Sequence, residues 1–164
     1  MSLPINEKEL AAVGISMAAG CKPCTDYHVQ KALTSGATDD EIRQAIIDAA
    51  CVRESALKIM KAHGLIHLGD VIGETDCGCE ETNRIKELVS VGAAYAVNCT
   101  TNLEKHIEAA KKLDITEIEL KEVVKLAEFI KGKAASHVEK ITAPGNNNAA
   151  SHEQQKEATS TGCC

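Results

Sequence analysis

The chain repeats itself. Sliding the sequence along itself until Lys8 lies on Lys86 aligns it without gaps from Lys8 to about Lys61. In that register Glu9 meets Glu87, Leu10 meets Leu88 and Val13-Gly14 meets Val91-Gly92. Further on, Cys21 meets Cys99, His28 meets His106, Thr38 meets Thr116 and Glu41 meets Glu119. Apolar positions coincide as well, Ile42 with Leu120, Ile46 with Val124 and Met60 with Val138. A unit this small cannot bury its own apolar face, so two copies are expected to cover each other. The 164 residues therefore read as two related halves sharing one core.

Each half reads as helical throughout. Thr38-x-x-Glu41 has the form of a capping box, Thr116-x-x-Glu119 repeats it, and Asn6-x-x-Glu9 has the same form. From Thr38 onward Ile42, Ala45, Ile46, Ala49, Ala56, Leu57 and Met60 keep a helical period. Gly20 separates two helical runs, Gly36 stops the segment that begins at Cys21, and Pro23 falls in that segment's first turn. Three main helices per half follow, over about 6–19, 21–34 and 38–62, then 80–97, 99–112 and 116–139. The fold class is all-α: two tandem three-helix repeats packed as a pseudo-twofold helical domain. Its expected organisation is a first repeat over 1–67, a linker over 68–79, a second repeat over 80–141 and a flexible tail over 142–164. The tail is rich in Asn, Ala, Ser, Gln, Gly and Thr.

Aromatics are scarce: no Trp, with Phe129, Tyr27 and Tyr95 the whole set. The core must then come from Ala, Val, Ile and Leu, which favours helices at close approach. A formal charge of −6 disfavours nucleic acid or an anionic membrane as partner. No apolar run is long enough to span a bilayer, and the first residues lack an export pattern. A cytoplasmic location is expected. That reducing compartment disfavours structural disulfides among the eight cysteines. They cluster as Cys21 with Cys24, Cys77 with Cys79 and Cys163 with Cys164, leaving Cys51 and Cys99 alone. Such clustering points to redox exchange or to a soft metal.

Cys21-Lys-Pro-Cys24, followed by His28, carries the chemistry. Residues three, four and seven apart share one helix face, so two thiols and an imidazole form one stripe. His28 lies one turn beyond Cys24 and can take its proton, leaving a thiolate with a second thiol in bonding range. If the first two helices fold back at Gly20, Glu9 lies roughly 16 Å down one of them and His28 roughly 12 Å down the other. A glutamate side chain or one water closes that difference. The order inward from the turn is thiol, thiol, base and a carboxylate that orients the base. Cys24 is better placed for His28, whereas Cys21 gains more from the helix N-terminus.

Glu9-x11-Cys21-x2-Cys24-x3-His28 resembles the motif of the AhpD-like alkylhydroperoxidases, within the carboxymuconolactone decarboxylase superfamily. The resemblance covers roughly residues 5–141, and tandem helical repeats occur in that superfamily. It implies oligomeric assembly, no cofactor, and a thiol-dependent hydroperoxidase or thiol–disulfide oxidoreductase with an antioxidant role. By that resemblance Cys24 attacks the peroxide, Cys21 resolves the sulfenic acid to a disulfide, and His28 and Glu9 relay the proton. The partners it implies are a peroxide or disulfide substrate, a lipoyl or thioredoxin-type thiol reductant, and further copies of the chain. The sequence also departs from the family. Some members carry a second His immediately before the second Cys, where this chain has Pro23. In the second half Glu87, Cys99 and His106 keep their places, but Asn102 stands where the second thiol belongs. That copy cannot form a dithiol couple and reads as a degenerate structural half.

Other readings compete. Glu9 fits the far end of a capping box, although Glu87 sits well inside its helix, where capping explains nothing. From another class, the chain is a soft-metal or metalloid binder (Zn, As, Hg) using Cys21, Cys24, Cys77, Cys79, Cys163 and Cys164. A carboxymuconolactone decarboxylase-like reaction is the third alternative, but that chemistry needs no dithiol. His63, His67 and His137 read as surface or boundary residues, Cys51 as inert core, and the charges of 104–125 as a solvated helix face.

Overall fold

The computed structural model describes residues 2–70 and 82–143. Six helices account for most of them: α1 (Ile5–Ala18), α2 (Lys22–Thr34), α3 (Asp39–Ile66), α4 (Arg84–Ala96), α5 (Thr100–Lys112) and α6 (Glu117–Thr142). There is no strand among the described residues. Cys77, Cys79, Cys163 and Cys164, the expected linker beyond Asp70 and the tail beyond Ala143 lie outside them.

Local chemistry explains most boundaries. Thr38 and Thr116 cap α3 and α6, each accepting from the N3 amide while Glu41 or Glu119 reaches back to the cap's own N–H. Gly20 and Gly36 take left-handed backbone at φ 72° and 92° before and after α2. Asn98 and Asp114 take the same conformation at the matching places around α5, φ 58° and 57°. Asn and Asp are the side chains that best tolerate this region, so the second repeat keeps its turns without glycine. Two expectations fail. Asn6 and Glu9 form no capping box, because α1 starts one residue before Asn6, with Pro4 at its cap, and Glu9 is engaged elsewhere. The fourth helix starts at Arg84 rather than near 80, because Asn83 accepts from the Lys86 amide and sets the first turn there.

The two repeats interlock through their first helices. α1 packs on α2, α3, α4 and α6, while α4 packs on α5, α6, α3 and α1. The α1–α4 crossing requires glycine on both helices. A Cβ at Gly14 would stand 2.5 Å from Val89 Cγ1, and one at Gly92 2.5 Å from Ile15 Cγ1. This close approach is why Val-Gly recurs in both halves. Leu10, Val13, Ile15, Leu88, Val89 and Val91 are fully buried along the crossing. Burying each such side chain stabilises the fold by about 1.5–3 kcal/mol.

Arg84 fastens the halves from outside. Its guanidinium binds Glu7 of α1 at 3.0 Å and also Glu119 of α6. The latter contact, with the Thr116 bonds, removes Glu119 from the solvated face expected for 104–125. Along α3, Ile42, Ala45, Ala49 and Ala56 are buried, but Leu57 and Met60 are exposed despite their helical period. α3 continues past the body it packs against, so its last turns present apolar residues outward. No helix among the described residues is long and apolar enough to cross a membrane.

Candidate functional site

The site forms where α1 and α2 meet. Cys21 is the N-cap of α2 rather than part of its first turn: its backbone is extended, and its Sγ accepts from the Cys24 amide at 3.3 Å. Pro23 occupies the first turn, where its missing N–H removes no helical bond. Cys24 and His28 follow on the buried side of α2. Arg53 of α3 donates to the carbonyls of Met17 and Ala18, at 3.3 and 3.1 Å, holding the end of α1 beside the turn.

Cys21 and Cys24 are joined as a disulfide, with Cα atoms 5.3 Å apart. Both are buried, Cys24 at 1% exposure and Cys21 at 6%. Glu9 Oε2 lies 2.9 Å from His28 Nδ1, closing the gap between α1 and α2 directly. His28 is buried and Glu9 nearly so. With Glu9 ionised, Nδ1–H donates to the carboxylate and Nε2 keeps the lone pair, which makes Nε2 the basic nitrogen. The four residues singled out in the sequence are thus a bonded thiol pair and a bonded acid–imidazole pair, on facing stretches of two helices.

The sequence reading missed one neighbour. His137, on α6 of the other repeat, is half-buried, and one of its ring nitrogens lies within 4.8 Å of both Cys21 Sγ and Cys24 Sγ. Its half-buried place fits the boundary position expected, but its nearness to the sulfurs was not expected. No sequence signal marks it, because the repeat register places Ile59 at its counterpart. Only the packing of α6 near α2 brings it there. His63 and His67 are exposed as expected, whereas Cys51 is half-buried on α3 and disulfide-bonded instead of being inert core.

The second repeat keeps the acid–imidazole pair and lacks the couple. Glu87 Oε2 meets His106 Nδ1 at 2.8 Å, and both residues are buried. Cys99 caps α5 as a free, buried thiol. Asn102 replaces the second sulfur and is bonded into α3, its Oδ1 accepting from Ser55 Oγ at 3.2 Å and its Nδ2 donating to the Val52 carbonyl at 3.2 Å. The carboxamide therefore ties the two repeats together at the position where the first repeat holds a thiol.

Comparison with known protein families gives a match to the carboxymuconolactone decarboxylase family over residues 2–62 and again over 82–143. The chain belongs to that family. Both helical repeats of this carboxymuconolactone decarboxylase family protein carry the match, which agrees with the internal duplication and the tandem AhpD-like fold. Members of the family are enzymes, alkylhydroperoxidases or decarboxylases. Neither the curated proteins nor the solved structures contain a match.

Proposed function

We propose that this family member is a thiol-dependent hydroperoxidase or thiol–disulfide oxidoreductase. The observation that supports the reading best is the Glu9–His28 pair at 2.9 Å beside a disulfide-capable Cys21–Cys24 pair. A decarboxylase has no need of two sulfurs that bond to each other.

The reaction runs in three steps. His28 Nε2 takes the Cys24 proton, and the thiolate attacks the outer oxygen of a hydroperoxide. The O–O bond breaks, Cys24 becomes a sulfenic acid, and the imidazolium returns the proton to the departing alkoxide, giving an alcohol. Cys21 then attacks the sulfenic sulfur, the S–S bond forms and water leaves. An external lipoyl or thioredoxin-type dithiol reduces the disulfide, and its two electrons and two protons restore both thiols. Glu9 holds the imidazole in the tautomer the first step needs and stabilises the imidazolium that forms. Cys24 is assigned the attack because it lies one turn from His28; Cys21, the more exposed of the two, is assigned the exchange with the reductant.

Single-turnover consumption of an alkyl hydroperoxide by the reduced protein, with thiols counted before and after, tests this. One peroxide should remove two thiols. Cys24→Ser should abolish the reaction, while Cys21→Ser should leave a trappable sulfenic acid. Unchanged consumption by both variants would reject the assignment.

The protein is further proposed to act as a homo-oligomer in the cytoplasm. The apolar residues left exposed at the end of α3, Leu57, Met60 and Ile66, supply a surface for a second copy. Light scattering on the wild type and on a Leu57→Asp/Met60→Asp variant checks this, with a smaller particle expected for the variant.

A further inference from the structure

We infer that the reduced Cys21–Cys24 dithiol, together with His137, forms a three-ligand site for zinc or a similar divalent cation. Binding there and the disulfide are mutually exclusive states of the same two sulfurs. The proposal goes beyond the peroxidase reading and adds a ligand to the dithiol from the other repeat.

Geometry carries the inference. The two Sγ atoms and a His137 ring nitrogen all lie within 4.8 Å of one another, the only set of three or more such ligand atoms among the described residues. Zinc with thiolate ligands at about 2.3 Å and imidazole at about 2.0 Å, arranged tetrahedrally, spaces its donor atoms about 3.5–3.8 Å apart. Breaking the S–S bond lets the sulfurs open to that separation, with His137 already near both. Cys-x-x-Cys with the first Cys at a helix N-cap presents both sulfurs to one side of the turn. Two sulfurs and one imidazole nitrogen form a borderline-soft donor set suited to zinc, with the fourth position left to solvent.

Burial gives the second argument. Cys24 and Cys21 are 1% and 6% exposed, so two thiolates without a counter-charge would be costly there. A divalent cation neutralises both, and imidazole adds no charge. Binding releases the two thiol protons: one M2+ and two R–SH give M(SR)2 and two H+. Hydroperoxide reverses occupancy. M(SR)2, ROOH and two H+ give the disulfide, ROH, water and free M2+, with the sulfurs losing two electrons to the O–O bond. Metal therefore shields the dithiol, and oxidation expels the metal.

The test uses the full chain carrying Cys51→Ser, Cys77→Ser, Cys79→Ser, Cys99→Ser, Cys163→Ser and Cys164→Ser, which leaves Cys21 and Cys24 as its two thiols. The reduced protein is titrated anaerobically with Co2+ and with Zn2+ against a chromophoric chelator. One equivalent is expected, with sulfur-to-cobalt charge transfer, and addition of hydroperoxide should release it. His137→Ala should weaken binding by at least roughly 10- to 100-fold, the range that supporting residues alone command at metal sites. His137→Cys should restore it with a third sulfur-to-cobalt contribution, which an effect of His137 on folding would not produce. Equal affinity in this protein with and without His137→Ala, or in its oxidised and reduced forms, would overturn the proposal. So would Co2+ binding that survives Cys21→Ser unchanged. Peroxide consumption by the metal-free protein is measured separately, so the peroxidase reading stands or falls without this one.

Discussion

Glu9 Oε2 and His28 Nδ1 meet at 2.9 Å across two helices, nineteen residues apart in sequence. Glu87 and His106 repeat the contact at 2.8 Å with the same separation. A carboxylate–imidazole bond kept in both halves, with a second thiol in only one, separates two roles. The pair braces the first two helices of each repeat, and in the first repeat it also stands beside a dithiol.

His28→Gln is expected to slow peroxide-driven thiol loss by roughly 10²–10⁴-fold, the contribution of a positioned general base. Glu9→Gln should slow it less, because the imidazole keeps its place through the amide oxygen but loses the charge that stabilises its protonated form. Rapid-mixing kinetics across pH check both. If Glu9→Gln alters neither the rate nor the shape of the pH profile, the carboxylate has no part in the chemistry.

Asn102→Ala should destabilise the protein by about 1–3 kcal/mol, since it removes the Nδ2 bond to the Val52 carbonyl and takes the Oδ1 acceptor from the buried Ser55 hydroxyl. Urea denaturation measures this. A variant as stable as wild type would mean that the carboxamide bonds contribute nothing between the repeats.

Gly14→Ala and Gly92→Ala test the helix crossing. Each added methyl stands 2.5 Å from a buried neighbour, Val89 or Ile15, so α1 and α4 must separate. A loss of about 1–3 kcal/mol is expected for each, as for other overpacked cores. Because both changes strain one crossing, the double variant should show a non-additive cost in a thermodynamic cycle.

Glu119 supplies a pH dependence. The Thr116 amide and hydroxyl, and then the Arg84 guanidinium, hold its carboxyl at about 2, below the ordinary 4.5. The folded state therefore favours the ionised form. That stability is present above about 4.5 and is lost as the pH falls toward about 2. Glu119→Gln should cost about 1–3 kcal/mol at neutral pH. Its difference from wild type should shrink steadily on acidification through that window. A gap that stays constant from neutral pH to pH about 2 would show that the charge is not what matters.

The sequence alone determined the helices, the duplication and the four-residue set of Glu9, Cys21, Cys24 and His28. Each depends on short-range rules, such as the Thr38 and Thr116 boxes, the turns at Gly20 and Gly36, and spacings of three and four along α2. The internal register added the one longer relationship, because Glu87 and His106 recur at the spacing of Glu9 and His28. Tertiary structure alone decided the rest. His137 beside the sulfurs, Asn102 bonded to α3, Arg84 joining Glu7 to Glu119, and Leu57 and Met60 left outside the core all depend on where one repeat's helices cross the other's. A periodic pattern records which face of a helix is apolar, but not how far along that face a partner extends or which distant side chain the crossing delivers.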